Sequence, residues 1–354
     1  GSTGSGKTYH VIKPLIEQTI NQRIGCFVLD VKSNLYKDVM FYAEQAKRED
    51  DIRYFDLAKP EFSQTYNPLY GSNSDEIANR IHTALYCDYE GEDYYKKMAE
   101  AFIGNLVGLL MTEIKTITFQ DLATATGELS TFKTISDFCV RHPETRYAKY
   151  FRDLWLVMPV RERQTLLTGL INKLQRFCTR EWSFLINSKN PKIKMDDVLE
   201  SKRIFIFGIH SMMYSEDAKP LAIMALMDLS SQVAKRLLYP TEVPFRVFLD
   251  EFYNVVYKGF INLLNKCRET KVNLFLAHQS LGDLKDISES FMNQILGNAR
   301  NKVILGVDDP FSAEQIAKAL GTEPDLDARV VSYDSNSDMA GYAIPQVEKF
   351  RYHP

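Results

Sequence analysis

The chain has 354 residues, 45% of them hydrophobic and 25% charged, with a formal net charge of −3 and a pI near 6.1. That balance excludes a disordered chain and a protein that coats nucleic acid through overall basic charge, and the length allows two domains. Five cysteines (Cys26, Cys87, Cys139, Cys178, Cys267) form no C-x-x-C pair and stand near no histidine pair. They read as reduced thiols rather than as a zinc site or a disulfide framework.

Gly1, Ser2, Thr3, Gly4, Ser5, Gly6, Lys7 and Thr8 spell GSTGSGKT and fit G-x-x-x-x-G-K-[ST]. In such a P-loop the glycines let backbone N–H groups close around phosphate oxygens, the lysine reaches the terminal phosphates and the threonine hydroxyl faces Mg²⁺. The amphipathic stretch Tyr9 to Ile20 would present a helix N-terminus to the anion. A Ser/Gly-rich tag imitates part of the string, but it would not end in Lys-Thr and run straight into a helix.

Six short apolar runs follow: GCFVLD (25–30), IRYFDL (52–57), RIFIFGI (203–209), FRVFLDE (245–251), VNLFLAH (272–278) and KVILGV (302–307). Continuous rather than alternating apolar strands predict a parallel sheet covered by helices on both faces, hence an α/β fold. Between the second and third runs the periodicity is helical, with candidates over 75–85, 93–115, 134–139, 146–156, 159–177 and 195–199. This predicts an all-alpha domain over 74–199, inserted into a discontinuous nucleotide-binding domain of 1–73 and 200–354. The longest apolar run, 102–111, is about half of what a bilayer requires.

Charge is uneven within the insert. Its start is acidic, whereas residues 133–194 carry thirteen lysines and arginines against five acids. Tyr147, Tyr150, Phe151, Trp155, Phe177 and Trp182 are interleaved, which admits a nucleic-acid surface; solvated charges over an aromatic core are the alternative. Near the C-terminus SYDSNSDMAGY reads as a polar turn between two short strands.

The run FRVFLDEF supplies the acids a P-loop needs. Asp250 is suited to the metal and Glu251 to polarising water as general base, although two acids at a strand end also serve as a helix cap. After the next run, Gln279 is placed to sense a γ-phosphate, with His278 and Ser280 as rivals. Arg268 and Arg300 are candidates for an arginine donated to a neighbouring subunit, each equally readable as a surface ion-pair residue.

The order GSTGSGKT, VLDVKSNLYKD, YNPL, helical insert, FLDEF, CRETKVNLFLAHQSLGDL and NARNKVILGVDDPFSAEQIAKALG resembles the type IV coupling proteins, the conjugative DNA-translocating ATPases of type IV secretion systems. The likeness runs nearly to Gly321. It implies a RecA-like P-loop domain with an inserted all-alpha domain, ATP and Mg²⁺ as ligands, and a homo-hexamer around a DNA channel. Single-stranded DNA, relaxase or other secreted proteins and secretion-channel components are the implied partners. It also implies transmembrane helices and a first strand ahead of the P-loop, so that the chain reads as a cytosolic fragment from the cytoplasmic side of a bacterial inner membrane. On the family's motif positions Lys7, Thr8, Asp250, Glu251, Gln279 and Arg268 match, and Arg300 matches more loosely. The family usually has DPKGE where this chain has Asp30, Val31, Lys32, Ser33 and Asn34. Two other readings stay open: a nucleotide-switched substrate receptor without motor activity, and a septal-type double-stranded DNA pump.

Overall fold

The computed structural model describes residues 6–88, 93–127, 131–257, 259–326, 329–333, 339–343 and 346–350. The chain divides into two compact units, one of Thr8–Ala277 and one containing Gly6, Lys7 and the residues from His278 onward.

The larger unit is built on a five-stranded parallel sheet: β1 (Gly25–Asp30), β2 (Ile52–Asp56), β3 (Ile204–Gly208), β4 (Phe245–Leu249) and β5 (Val272–Leu276), in the order β2-β3-β1-β4-β5. All six residues of β1 are buried, as a central strand covered on both faces requires. Against one face pack α1 (Lys13–Asn21) and α2 (Tyr36–Gln45), whose Ile16, Ile20, Val39 and Ala43 meet Cys26, Val28, Ile204, Ile206 and Phe248. The residues of opposite parity, Phe27, Phe205 and Phe207, point to the other face, where Phe55 stacks on Phe207 at 4.9 Å and Tyr66 closes the cluster edge-on.

Between β2 and β3 lie α3 (Ser74–Leu85), α4 (Asp93–Leu110), α5 (Phe119–Gly127), α6 (Lys133–Arg141), α7 (Arg146–Tyr150), α8 (Val160–Thr179), α9 (Ser183–Ile186) and α10 (Met195–Glu200), with no strand among the described residues. The stretch expected as one helix over 146–156 instead passes from α7 into a wider π-type turn at Phe151–Trp155, and α5 was not expected. The two chain segments at the root of this excursion touch: the Tyr66 N–H donates to Leu185 O at 2.8 Å and the Ile193 N–H to Thr65 O at 2.9 Å.

α11 (Ser215–Leu238), which joins β3 to β4, carries the buried Asp228. Asp228 accepts from the Tyr66 hydroxyl at 2.8 Å and pairs with Arg80 of α3 at 3.2 Å. Burial raises the Asp228 carboxyl above its ordinary value, and Arg80 opposes that rise. α12 (Phe260–Cys267) leads into β5.

The nucleic-acid surface admitted for residues 133–194 does not form from its aromatics, because Phe151, Trp155, Phe177 and Trp182 are core residues at 2% exposure or less. Many of the cations are also engaged within the fold. Arg141 pairs with Glu113, Arg176 and Arg180 with Asp217, and Lys189 with Asp121, while buried Arg163 donates to the carbonyls of Leu156 and Met158.

In the smaller unit α13 (Leu281–Ile287), α14 (Glu289–Asn298) and α15 (Pro310–Leu320) precede two antiparallel pairs, β6 (Thr322–Leu326) with β9 (Gln346–Phe350) and β7 (Arg329–Tyr333) with β8 (Met339–Ala343). The two short strands expected around SYDSNSDMAGY are β7 and β8; the turn itself, 334–338, lies outside the described residues. The strand expected over 302–307 does not form. Val303 and Ile304 are 67% and 47% exposed, and an isolated apolar run without a neighbour to accept its N–H groups has nothing to hold it as a strand.

Candidate functional site

In a parallel sheet the C-terminal strand ends open onto the crevice where ligands bind. β1 ends there in Asp30, β2 in Asp56, β3 in Gly208, and β4 is followed by Asp250 and Glu251. Gly208 has a steric reason: a Cβ at this position would stand 2.7 Å from Asp56 Cγ.

The helix after the P-loop begins with a π-type turn at Thr8–Ile12 and continues into α1. Its first residue, Thr8, donates its hydroxyl to Asp250 Oδ2 at 2.7 Å. The other oxygen of Asp250 accepts the Glu251 N–H at 3.1 Å. Asp250 is 8% exposed, so its carboxylate is fixed by both contacts in a nearly dry position. Glu251 adopts the left-handed conformation (φ 51°, ψ 48°), uncommon for a residue with a side chain, and its carbonyl accepts from the Asn254 N–H and side-chain amide. The strand end is therefore a tight turn that aims two successive carboxylates differently. Glu251 also stands at the N-cap of the short 3₁₀ turn Phe252–Val255, but its side chain makes no capping bond there.

The segment after β1 converges on the same turn. Buried Asp30 accepts the Leu35 N–H at 2.6 Å, which curls residues 31–35 back over the strand end. Burial pushes the Asp30 carboxyl up, and these backbone N–H bonds oppose the shift. Ser33 is left-handed (φ 54°), a conformation that glycine adopts without cost. It stands where the resembling family has glycine, so the chemical departure preserves the backbone. The Ser33 hydroxyl gains a bond to Asp56 Oδ1 at 3.0 Å, and Asp56 is further held by the Tyr54 hydroxyl at 2.8 Å. Thus anchored, the loop projects Lys32, whose Nζ lies 2.5 Å from Glu251 Oε1. The hydrogen bond to Glu251 raises the Lys32 pKa, partly opposed by burial. Asp56, Ser33 and this ion pair were not among the expected site residues.

Other expected positions are placed as follows. Gly1, Ser2, Thr3, Gly4 and Ser5 lie outside the described residues, and Gly6 has a positive φ of 80°. Lys7, Gln279 and Arg300 belong to the smaller unit. There the rivals of Gln279 have other duties. Ser280 caps α13 by accepting the Gly282 N–H and donates to Asp309, which caps α15; His278 Nδ1 lies 3.1 Å from Ser280 O. Arg300 is exposed after α14. Arg268 is exposed at the foot of β5, at the N-terminal ends of the strands, whereas Asp250 follows their C-terminal ends. Five residues at about 3.3 Å each separate those two edges, so Arg268 does not reach the Thr8–Asp250 pair of its own chain.

Among the described residues no group of three or more histidine, cysteine or acidic side chains is arranged to hold a metal. One hydroxyl and one carboxylate, Thr8 and Asp250, fit a hard cation that takes its remaining ligands from phosphate and water, as Mg²⁺ does. No helix among the described residues is long and apolar enough to cross a membrane.

Residues 244–348 match the family described as the TraM recognition site of TraD and TraG. No curated protein sequence gives a significant match. Among solved structures, the chain is similar to the unbound monoclinic form of the bacterial conjugative coupling protein TrwBdeltaN70, with a TM-score of 0.67 and 15% identity over 99% of this chain and 76% of that one. It is similar in the same proportions, with a TM-score of 0.65, to plasmid coupling protein TrwB in complex with the non-hydrolysable ATP analogue ADPNP. VirB4 of Thermoanaerobacter pseudethanolicus follows at a TM-score of 0.55 and 14% identity, over 100% of this chain and 88% of that one. The fold, a five-stranded parallel sheet with helices inserted between β2 and β3, is that of these coupling-protein structures, and the family match lies on the C-terminal part of the chain.

Proposed function

We propose that the chain is the P-loop ATPase of a conjugative coupling protein, which recruits DNA or a relaxase–DNA conjugate and drives it toward a type IV secretion channel. The observation that carries this reading is the 2.7 Å contact between Thr8 and Asp250, which joins the end of the phosphate-binding motif to the acidic strand end. Lys7 and the P-loop amides hold the triphosphate. Thr8 and Asp250 would hold Mg²⁺, which would supply charge neutralisation to the triphosphate. Glu251 takes a proton from a water whose oxygen attacks the γ-phosphorus; the bond to the β-phosphate oxygen breaks, and ADP and phosphate leave. Gln279 reports the γ-phosphate, and Arg268, or failing it Arg300, completes the site of a neighbouring subunit in a homo-hexamer. A membrane anchor outside these residues places the ring at the inner membrane. TrwB structures with ADPNP, and with ADP and Mg²⁺, support nucleotide and metal.

The family description favours one companion reading. The match of 244–348 to a family described as the TraM recognition site of TraD and TraG supports a partner-docking role for the C-terminal part, as a receptor requires. ATPase activity measured against protein concentration, with and without single-stranded DNA, separates the two. A motor shows turnover that rises with assembly and with DNA; a receptor binds nucleotide and partner without that stimulation.

A further inference from the structure

The ion pair between Lys32 and Glu251 has a consequence for the proposed base. A general base needs a lone pair directed at water, and a carboxylate with an ammonium against one oxygen is less free to turn toward it. Here the ammonium sits 2.5 Å from Oε1. The two partners are not equally fixed. Glu251 is 12% exposed at its side chain and sits on a left-handed turn tied to Asp250 and Asn254, whereas the Lys32 side chain is 51% exposed on a flexible four-carbon stem. Only the backbone of Lys32 is anchored, through Asp30, Ser33 and Asp56. The movable member of the pair is therefore the lysine head group.

Resting on Glu251 as the general base, we infer that Lys32 is a latch on it: a positioning residue that holds the carboxylate withdrawn in the resting site and must swing away before water is activated. A phosphate-bearing ligand in the crevice offers the ammonium a more highly charged partner than one carboxylate, so the same ligand that needs the base draws off its restraint.

The test is single-turnover cleavage of ATP with the full chain in excess, comparing wild type with Lys32→Met, Lys32→Arg and Glu251→Gln, each checked for folding by circular dichroism and for ATP affinity. The latch predicts that Lys32→Met, measured with the chain saturating so that all ATP is bound, cleaves about three- to tenfold faster, and that Lys32→Arg stays near wild type. It also predicts that Lys32→Met combined with Glu251→Gln is as slow as Glu251→Gln alone. Lys32→Gln repeats the neutral substitution should Lys32→Met fold poorly. Cleavage by Lys32→Met at or below the wild-type rate while Glu251→Gln is slow overturns the latch and leaves the base in place; cleavage by neither wild type nor Lys32→Met overturns the latch. Wild-type cleavage by Glu251→Gln overturns the base reading itself, and the latch falls with it.

Discussion

Thr8 and Asp250 meet at 2.7 Å although 242 residues separate them in the chain, and the whole inserted helical layer lies in between. The sheet makes this meeting possible by placing β4 beside β1, with the P-loop helix packed on the same face. Replacing Asp250 by Ala should cut ATP turnover on the order of a hundredfold or more, and Thr8→Ser, which keeps the hydroxyl, should stay within a few-fold of wild type. Steady-state kinetics over a Mg²⁺ titration checks both. Equal activity of Asp250→Ala and wild type would remove the pair from the chemistry.

Glu251→Gln should slow hydrolysis on the order of a hundredfold or more while nucleotide binding persists, because only proton acceptance is lost. Lys7→Ala should act oppositely, weakening binding of a non-hydrolysable analogue in a calorimetric titration.

Arg268 stands at the wrong edge of the sheet to serve its own site, so its proposed role requires a neighbour. Mixing Lys7→Ala chains with Arg268→Ala chains should restore activity, since an intact P-loop then adjoins an intact arginine, whose contribution is on the order of 10³-fold. Verified co-assembly without rescue would move the assignment to Arg300.

The buried Arg80–Asp228 pair fastens α3 to α11. Asp228→Ala strands a buried guanidinium and should cost about 3–5 kcal/mol of stability by urea unfolding, much more than the double replacement by apolar residues of similar volume. Additive losses from Arg80→Met and Asp228→Leu would show that the two are not coupled.

His82 packs on Tyr86 with Nε2 3.2 Å from Lys96 O, and burial holds its pKa below the ordinary 6.5. The unfolded chain then binds the proton more readily than the folded one. The stability tied to neutral His82 is intact above pH 6.5 and is lost as pH falls from there through the lower folded value. His82→Gln should shrink the difference between unfolding free energies at pH 7.5 and pH 5; an unchanged difference would place the acid sensitivity elsewhere.

The central strands were legible because a parallel strand covered on both faces has to be apolar on both, as Phe27 and Val28 of β1 are, and the partly buried edge strands β2 and β5 carry enough of the same apolar run to be read with them. The same criterion misleads at Val303 and Ile304, where apolar composition is present but no neighbouring strand is. α5 carried a readable signal, Thr118 with Asp121 three residues on. The Asp121 carboxylate accepts both the Thr118 N–H and its hydroxyl, yet the helix's small-residue run ATATG shows little periodicity. In the site, Lys7, Thr8, Asp250 and Glu251 followed from motif spacing. The Lys32–Glu251 pair did not, because it depends on Ser33 adopting a left-handed turn that its side chain does not announce. The aromatics of 133–194 were ambiguous for a similar reason: sequence gives their interleaving with cations, and only packing says which way they face.

The contact of Thr65 and Tyr66 with Leu185 and Ile193 closes a neck at the root of the helical layer, which is also fastened to α11 through Arg80–Asp228 and Arg176–Asp217. Once a neck is closed, the entropic cost of the chain beyond it grows only with the logarithm of its length, about 0.6 kcal/mol per doubling. Additions or losses far from the neck therefore leave the register of β2 against β3, and with it the acidic strand ends, undisturbed. Divergence in chain length among relatives should accordingly concentrate beyond that neck, while the spacing between the neck and the sheet stays nearly constant.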